Sequence, residues 1–265
     1  MKIKKTTWLG FEAVEMEAGG YEALMIPSMG ANVVKLVNRE KGVNILRTPQ
    51  EEDLETFASR PQLFGLPLLF PPNRIEDGKY THNGKTYQFP ITIPNQNNYH
   101  HGIIKSQKFV VTRTKIGQDA VEVEAAFFSN RINDEIFVNF PHEFECRMHF
   151  KLSAEGLEHK VAFTNLSDSE MPLGVGYHTP IMVPFAEGGK ADDYRIRMSV
   201  GEKWEINDRT LPTGKLLPLG EEELALRNGT LKPTGKGIEW PLTAEKIEVD
   251  GKAYNGAVIT DTAKG

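Results

Sequence analysis

The sequence contains only one cysteine, Cys146, among 265 residues. A disulfide within the chain needs two cysteines and a cysteine-based zinc site needs several, so both are excluded. A single thiol is also typical of proteins from a reducing compartment, and we expect a cytoplasmic protein. Cys146 falls within an alternating apolar pattern, which predicts a role as a small core residue.

Long apolar runs are also missing. No window approaches the roughly 20 apolar residues that span a bilayer. The basic residues Lys2, Lys4 and Lys5 are not followed by the apolar stretch of a signal peptide. We therefore expect no membrane partner.

Positive charge is not in excess. The chain has 31 Lys and Arg against 36 Asp and Glu, which gives a net charge of -5. A nucleic-acid-binding surface needs a basic face, so we expect no nucleic-acid partner. No tract rich in Ser, Gly or Pro and no repeat divides the chain, and residues 1–265 are expected to form a single domain.

Amphipathic helices of three or more turns are missing, whereas strand patterns are frequent. Apolar residues alternate with polar or small ones over residues 121–127 and 144–152, the period of a strand with one buried face. Asn83-Gly84 lies between strand-forming residues and predicts a tight hairpin. Further strands are predicted at residues 21–26, 32–37 and 194–200. The predicted fold class is all-β, a large antiparallel β-sandwich.

The most unusual segment is residues 65–75, in which three prolines stiffen an apolar run that leads to Asn73 and Arg74. Proline fixes φ and removes a backbone donor, which predicts a rigid, extended passage near the surface. Arginine offers a planar five-donor fork and asparagine both a donor and an acceptor, groups that suit a hydroxyl-rich ligand or an anion. The alternative is that Arg74 pairs with a nearby carboxylate and the prolines only shape a loop.

Two of the seven histidines, His101 and His178, lie in glycine-flanked, loop-like segments instead of on strand faces. Histidine titrates near neutral pH and can donate or accept a proton in catalysis. Gly176 before His178 lets the backbone approach another segment closely. The sequence lacks a His-Glu-x-x-His spacing, a Gly-x-Ser-x-Gly elbow and a glycine-rich nucleotide loop. We therefore expect an acid/base site that uses neither metal nor cofactor.

Three motifs occur in order along the chain: Asn73-Arg74-Ile75 behind the prolines, His101-Gly102, and Gly176-Tyr177-His178-Thr179-Pro180. On a mostly β chain they resemble the aldose 1-epimerase (galactose mutarotase) family. The resemblance runs from the N-terminal strand pair to the last residue. It implies a β-supersandwich that binds a free sugar in an open cleft without metal or cofactor, and we expect the three motifs to converge on that cleft.

The reaction that the resemblance implies is mutarotation. A base removes the proton of the anomeric hydroxyl, an acid protonates the ring oxygen, the ring opens, and it closes again on the other face of C1. By motif, His178 resembles the general acid at the ring oxygen, and His101 resembles a second histidine that binds and polarises the same region. Arg74 and Asn73 resemble the pair that contacts sugar hydroxyls.

Two positions depart from the family pattern. An Asp beside an aromatic residue late in the family is best matched by Tyr254-Asn255, so Asn255 is a predicted sugar contact. The family's catalytic Glu lies near the C-terminus, and this sequence stops at residues 260–265, before any residue that would correspond to it. A chain that ended after the apolar residues 257–260 would leave an unpaired strand edge. We therefore expect these residues to lack the C-terminal strands of a longer protein; loss of the base is the alternative.

The sequence is compatible with three functions. The first is an aldose 1-epimerase acting on free hexoses such as glucose or galactose. The second is a hexose-6-phosphate 1-epimerase, for which Lys105 is a candidate partner of the phosphate. The third is a non-catalytic carbohydrate-binding protein. Each has a small-molecule sugar as its partner, and the sequence leaves both a monomer and a dimer open.

Overall fold

A computed structural model of the chain describes residues 1–132, 135–233, 235, 238 and 240–264. It divides into two compact units, Met1–Met182 and Val183–Gly265, and each is described by itself. The single-domain organisation stays a prediction. No helix in the described residues has the length and apolar character needed to cross a membrane.

The first unit consists mainly of short antiparallel strands. Its strands are β1 Lys2–Trp8, β2 Phe11–Ala18, β3 Tyr21–Ile26, β4 Asn32–Asn38, β5 Val43–Asn44, β6 Leu68–Leu69, β7 Arg74–Glu76, β8 Lys79–His82, β9 Lys85–Gln88, β10 Asn98–His100, β11 Val110–Ile116, β12 Ala120–Ser129, β13 Phe144–Ser153, β14 Gly156–Asn165 and β15 Gly176–Tyr177. Its α-helices are α1 Leu54–Ser59 and α2 Glu135–Asn139.

The first five strands form one antiparallel sheet in the order β1-β2-β3-β4-β5. Val14, Met16 and Met25 lie on one face and are buried, because side chains two residues apart share a face of a strand. A short 3₁₀ turn over Pro27–Met29 joins β3 to β4. The strands predicted on either side of this turn are confirmed.

The second sheet of this unit has the order β11-β12-β13-β14. Buried and half-buried residues alternate along the whole of β13, as predicted, and Cys146 on this strand is buried. Met16 and Met25 from the first sheet share one core cluster with Cys146 and Phe150 from the second. The unit is thus a β-sandwich, and the predicted all-β fold class is confirmed.

Small two-stranded ladders accompany these two sheets. β8 and β9 form the predicted hairpin, with Asn83 and Gly84 both at positive φ, the pattern of a type I′ turn. β6 pairs with β15 and β7 pairs with β10. These last two ladders join segments that are far apart in the chain.

The described residues of the second unit form three strand pairs, a 3₁₀ turn over Ala191–Asp193 and an α-helix. Its elements are β16 Tyr194–Met198, β17 Lys203–Ile206, β18 Pro212–Leu217, α3 Glu221–Asn228, β19 Ile247–Val249, β20 Lys252–Tyr254 and β21 Ala257–Asp261. β16 pairs with β21, β17 with β18 and β19 with β20. Val200, Leu226 and Leu231 form the buried centre of this unit.

Candidate active site

The Pro-rich segment, residues 67–72, pairs with both of the histidine-bearing segments. On one side β6 pairs with β15, and the backbone N–H of His178 donates to the carbonyl of Pro67 at 3.4 Å. On the other side the N–H of Ile103 donates to the carbonyl of Phe70 at 2.8 Å. Proline lacks an N–H but keeps its carbonyl as an acceptor, so this stiff segment can still hold its neighbours in register.

Two glycines allow the close approach of these segments. Gly102 has φ +74° and packs against the Pro-rich segment so tightly that a Cβ there would lie 2.8 Å from the backbone N of Phe70. A Cβ on Gly176 would lie 3.0 Å from Cβ of Pro72. Both distances are too short for a side chain to enter without movement of its neighbour. The close backbone approach expected at Gly176 is confirmed.

Asn73 and His101 face each other in an unusual backbone conformation. Their φ angles are 59° and 62°, and the N–H of His101 donates to the carbonyl of Asn73 at 3.0 Å. Positive φ is uncommon outside glycine, although Asn and His tolerate it better than most residues. Such backbone strain is concentrated at functional sites. We therefore take this pair as the structural centre of the candidate site.

The left-handed backbone of His101 brings three imidazole rings together. Neighbouring side chains in an extended strand point to opposite faces, but the ring of His101 packs against the ring of His100 with centroids 3.3 Å apart. The ring of His178 meets His101 edge-on, with centroids 5.0 Å apart and an angle of 71°. Within the described part of the chain, these rings and their neighbours form no group of ligands that could hold a metal ion.

Arg74 lies beside this cluster. It is directly opposite His100 in the β7–β10 ladder, and residues paired in this way have their side chains on the same face. Its Nε donates to Oε1 of Gln96 at 3.3 Å and its Nη1 to Oδ1 of Asn73 at 3.4 Å. Among the residues described, the guanidinium has amide partners and forms no ion pair. The carboxylate partner considered as the alternative is therefore not found there.

Burial and nearby positive charge keep two of the histidines neutral. Burial lowers the pKa of His101 to about 3 and that of His100 to about 4, from the ordinary value of 6.5. Arg74, Lys105 and His178 lower both pKa values further by charge repulsion. At neutral pH each ring therefore has one donor and one acceptor nitrogen.

Two ring nitrogens of the cluster have no partner among the described residues. Nδ1 of His101 and Nδ1 of His178 are buried and make no hydrogen bond there. Buried polar atoms in native proteins are nearly always hydrogen-bonded. These two atoms lie on adjacent rings, so the described residues leave two polar groups of the cluster without a protein partner.

Lys105 adds a second basic side chain to this region. Its Nζ donates to the carbonyl of Gly102 at 2.9 Å, and burial lowers the pKa of the ammonium. The same ammonium acts electrostatically on both His100 and His101. The region around the histidines is therefore basic.

The structure thus brings together Arg74, Asn73, His101 and His178, four of the five residues predicted from the sequence. The fifth, Asn255, is exposed between β20 and β21 in the second unit, and its role as a sugar contact stays a prediction. Sequence reasoning did not assign His100, because strand alternation places neighbours on opposite faces. The two rings meet because the positive φ of His101 turns its side chain toward His100.

Comparison with protein families gives an independent view of the chain. The family model described as aldose 1-epimerase matches residues 12–262. The chain is 27% identical to the plasmid-encoded protein LacX of Lactococcus lactis subsp. lactis over 129 residues, which is 48% of this chain and 40% of LacX. It is 22% identical to YihR of Escherichia coli K12 over 204 residues, 76% of this chain and 59% of YihR. The chain thus spans less than two thirds of the length of these curated relatives.

Solved structures show similar folds. A galactose mutarotase-like protein from Clostridium acetobutylicum superposes with a TM-score of 0.94 at 42% identity, over 99% of this chain and 78% of that one. Galactose 1-epimerase from Lactobacillus acidophilus NCFM superposes with a TM-score of 0.64 at 18% identity, over 85% of this chain and 65% of that one. The second similarity concerns the fold alone.

Proposed function

Because the chain belongs to the aldose 1-epimerase family, we propose that it is a sugar 1-epimerase that interconverts the α and β anomers of free hexoses such as glucose or galactose. Two contacts in the structure support the proposal at these residues. The rings of His101 and His178 lie 5.0 Å apart, and Arg74 is paired with the residue before His101. The arrangement can bind a hydroxylated ring and move protons at one of its edges.

The chemistry needs one proton to pass from the anomeric hydroxyl to a base and another to pass from an acid to the ring oxygen. The bond between C1 and the ring oxygen then breaks, C1 rotates, and the reverse proton movements close the ring on its other face. Protons are the only groups exchanged between the sugar and the protein, so a side chain whose pKa lies near the working pH is the suitable catalyst.

His178 is the proposed acid at the ring oxygen. The low pKa values of His100 and His101, about 4 and about 3, leave neither ring as an imidazolium at neutral pH. In the proposal His101 therefore acts as a neutral hydrogen-bonding group that binds and polarises the same region of the sugar. This division of roles follows from the burial of the two neighbouring histidines.

Arg74 and Asn73 are the proposed contacts to sugar hydroxyls, and Asn255 is a further proposed contact. The guanidinium of Arg74 is oriented by amide oxygens of Gln96 and Asn73. No carboxylate among the described residues forms an ion pair with this guanidinium, so its charge is available to a ligand. Hydrogen bonds from such a group persist in the ground state and the transition state, so they contribute mainly to binding.

Polarimetry on freshly dissolved α-glucose and α-galactose tests the proposal directly. The protein as its gene encodes it should accelerate the change in optical rotation beyond the spontaneous rate. The H101N and H178N variants should return the rate to near background. Sugar binding without any acceleration, shown by isothermal titration calorimetry, would instead support the non-catalytic carbohydrate-binding protein.

A hexose 6-phosphate is the second candidate substrate, favoured by Lys105. This ammonium and Arg74 are the two cationic side chains that act on the histidines, and an anionic substituent would be attracted to them. If this candidate is correct, kcat/KM for glucose 6-phosphate exceeds that for glucose, and K105M removes the difference. The exposed Lys108 gives the control K108M, which should preserve it. Equal kcat/KM values for the two sugars would exclude the phosphate specificity.

A further inference from the structure

His100 is the member of the cluster that the proposed chemistry does not use. Its backbone N–H donates to Oγ1 of Thr92 at 2.8 Å, and it is paired with Arg74 across the ladder. Its side chain is half-buried and lies against the ring of His101 at 3.3 Å between centroids. The backbone of His100 is thus held from two sides, and its ring makes a close contact with a proposed substrate-binding group.

The ring of His101 has few other restraints. Its backbone is held by the N–H bond to the carbonyl of Asn73, but its Nδ1 has no hydrogen-bond partner among the described residues. Catalytic histidines are commonly oriented by a hydrogen bond from a third group. Instead of an orienting hydrogen bond at Nδ1, the ring of His101 has ring contacts with His100 and with His178.

We propose that His100 is a positioning residue whose ring fixes the imidazole of His101 beside His178. The inference rests on the proposed function for its catalytic consequence, but the positioning itself is a property of the free protein. It needs a flat ring at residue 100 and does not need that ring to titrate. An aromatic replacement should therefore preserve it, and a small side chain should abolish it.

The electrostatic surroundings give the proposal a measurable signature. The groups that act on His101 are His100, Arg74 from β7, Lys105 after β10, and His178 after β15, and all of them disfavour its protonation. Removal of the His100 ring would admit water to His101 and remove one of these basic groups. Both changes favour the charged imidazole, so the pKa of His101 should rise.

The test is an NMR titration of the histidine ring carbons in the wild-type protein, H100F and H100A, with sugar absent. In the wild type the His101 signals should show no protonation above about pH 4, and a single ring orientation. H100F should retain the orientation with a small rise in pKa. H100A should raise the pKa of His101 by about one unit or more and broaden or split its signals.

Buried His142, whose Nε2 lies 2.7 Å from the Tyr87 hydroxyl, reports whether each variant is folded. If the His142 signals persist and His101 behaves alike in all three proteins, the positioning role is wrong. If H100A does not fold, the comparison of H100F with H100L decides, since leucine has similar volume without a flat ring. An H100L protein with wild-type His101 signals would overturn the proposal.

Activity measurements separate this inference from the proposed function. In an active enzyme, H100F should keep the wild-type kcat, while H100A should lower kcat and move the acid limb of the pH–rate profile upward. Absence of epimerase activity in the wild type would refute the proposed function but leave the NMR result intact. Wild-type kcat and an unmoved acid limb in H100A would refute the positioning role alone.

Discussion

At the scale of single residues, the proposed mechanism gives His178 and Arg74 different tasks. H178N keeps a polar side chain in place but removes the imidazole that is the proposed proton donor. We expect kcat to fall about 10²–10⁴-fold, the usual effect of one positioned acid, with little change in sugar affinity. Polarimetry for kcat and calorimetry for affinity are the measurements.

The control for H178N is H149N. His149 lies on the outward face of β13 and contacts Oε2 of Glu122 at 3.2 Å, in a sheet far along the sequence from the Pro-rich segment. Its replacement should leave kcat unchanged. An H178N enzyme with wild-type kcat would contradict the assignment of the acid.

Arg74 should act on binding. R74Q removes the guanidinium fork and its charge, so we expect KM to rise about 10- to 100-fold with kcat nearly unchanged, because hydrogen bonds to a charged group contribute about 1.5–3 kcal/mol. The exposed Arg113, which pairs with Glu124, gives the control R113Q with wild-type KM. Equal losses of kcat and kcat/KM in R74Q would show instead that the guanidinium acts only in the transition state.

At the scale of elements, Gly102 decides whether β10 can pass the Pro-rich segment. G102A places a Cβ 2.8 Å from the backbone of Phe70 at φ +74°, so it combines backbone strain with a clash. Gly84 has a similar φ of +75°, yet a Cβ there meets nothing within 4 Å. The pair therefore separates the clash from the strain.

We expect G84A to lower the free energy of unfolding by about 1 kcal/mol and G102A to lower it by about 2–4 kcal/mol, because the clash adds to the strain. Urea unfolding followed by far-UV circular dichroism measures both. Equal decreases in the free energy of unfolding would mean that the backbone at Phe70 moves to accommodate the Cβ without an energetic penalty. The close approach of Gly102 to Phe70 would then not constrain the site.

At the scale of the whole molecule, neutral buried histidines make stability depend on pH. Burial lowers the pKa of His100 and His159 to about 4 and that of His101 to about 3. Below the ordinary value of 6.5, the unfolded chain binds protons that the folded chain does not. The free energy of unfolding should therefore keep its full value above about pH 6.5. It should fall as the pH drops below that value, until these rings protonate in the folded state.

His159 offers a clean test of this pH dependence. It stacks on Phe150 at 4.3 Å between ring centroids and bonds the hydroxyl of Tyr177 at 3.3 Å. H159F keeps the stack and removes the titration, so the slope of stability against pH between about 6.5 and 4 should become shallower by up to one proton.

The control Y177F removes the hydrogen bond and keeps the imidazole, and it should leave that slope unchanged. Urea unfolding at a series of pH values measures both variants. A slope in H159F equal to that of the wild type would show that His159 does not contribute to the acid sensitivity.

The elements of the fold were largely accessible from the sequence. The alternation along β13 and the Asn83-Gly84 turn are local signals, because side-chain period and turn conformation depend on residues next to each other. Residues 51–59 hold a 3₁₀ turn and the short helix α1, and they show that not every element has a clear local signal. Their local pattern is too short to predict a helix.

The sequence by itself determined the strand periods, the hairpin turns, the stiff Pro-rich segment, and the residue types able to bind a sugar and move protons. Only the tertiary structure decided that these residues meet. The pairings of β6 with β15 and of β7 with β10 are non-local, and no periodicity encodes them. The same packing turned the ring of His101 onto that of His100. It also buried both rings, and this burial, which depends on every neighbouring segment, lowers their pKa values.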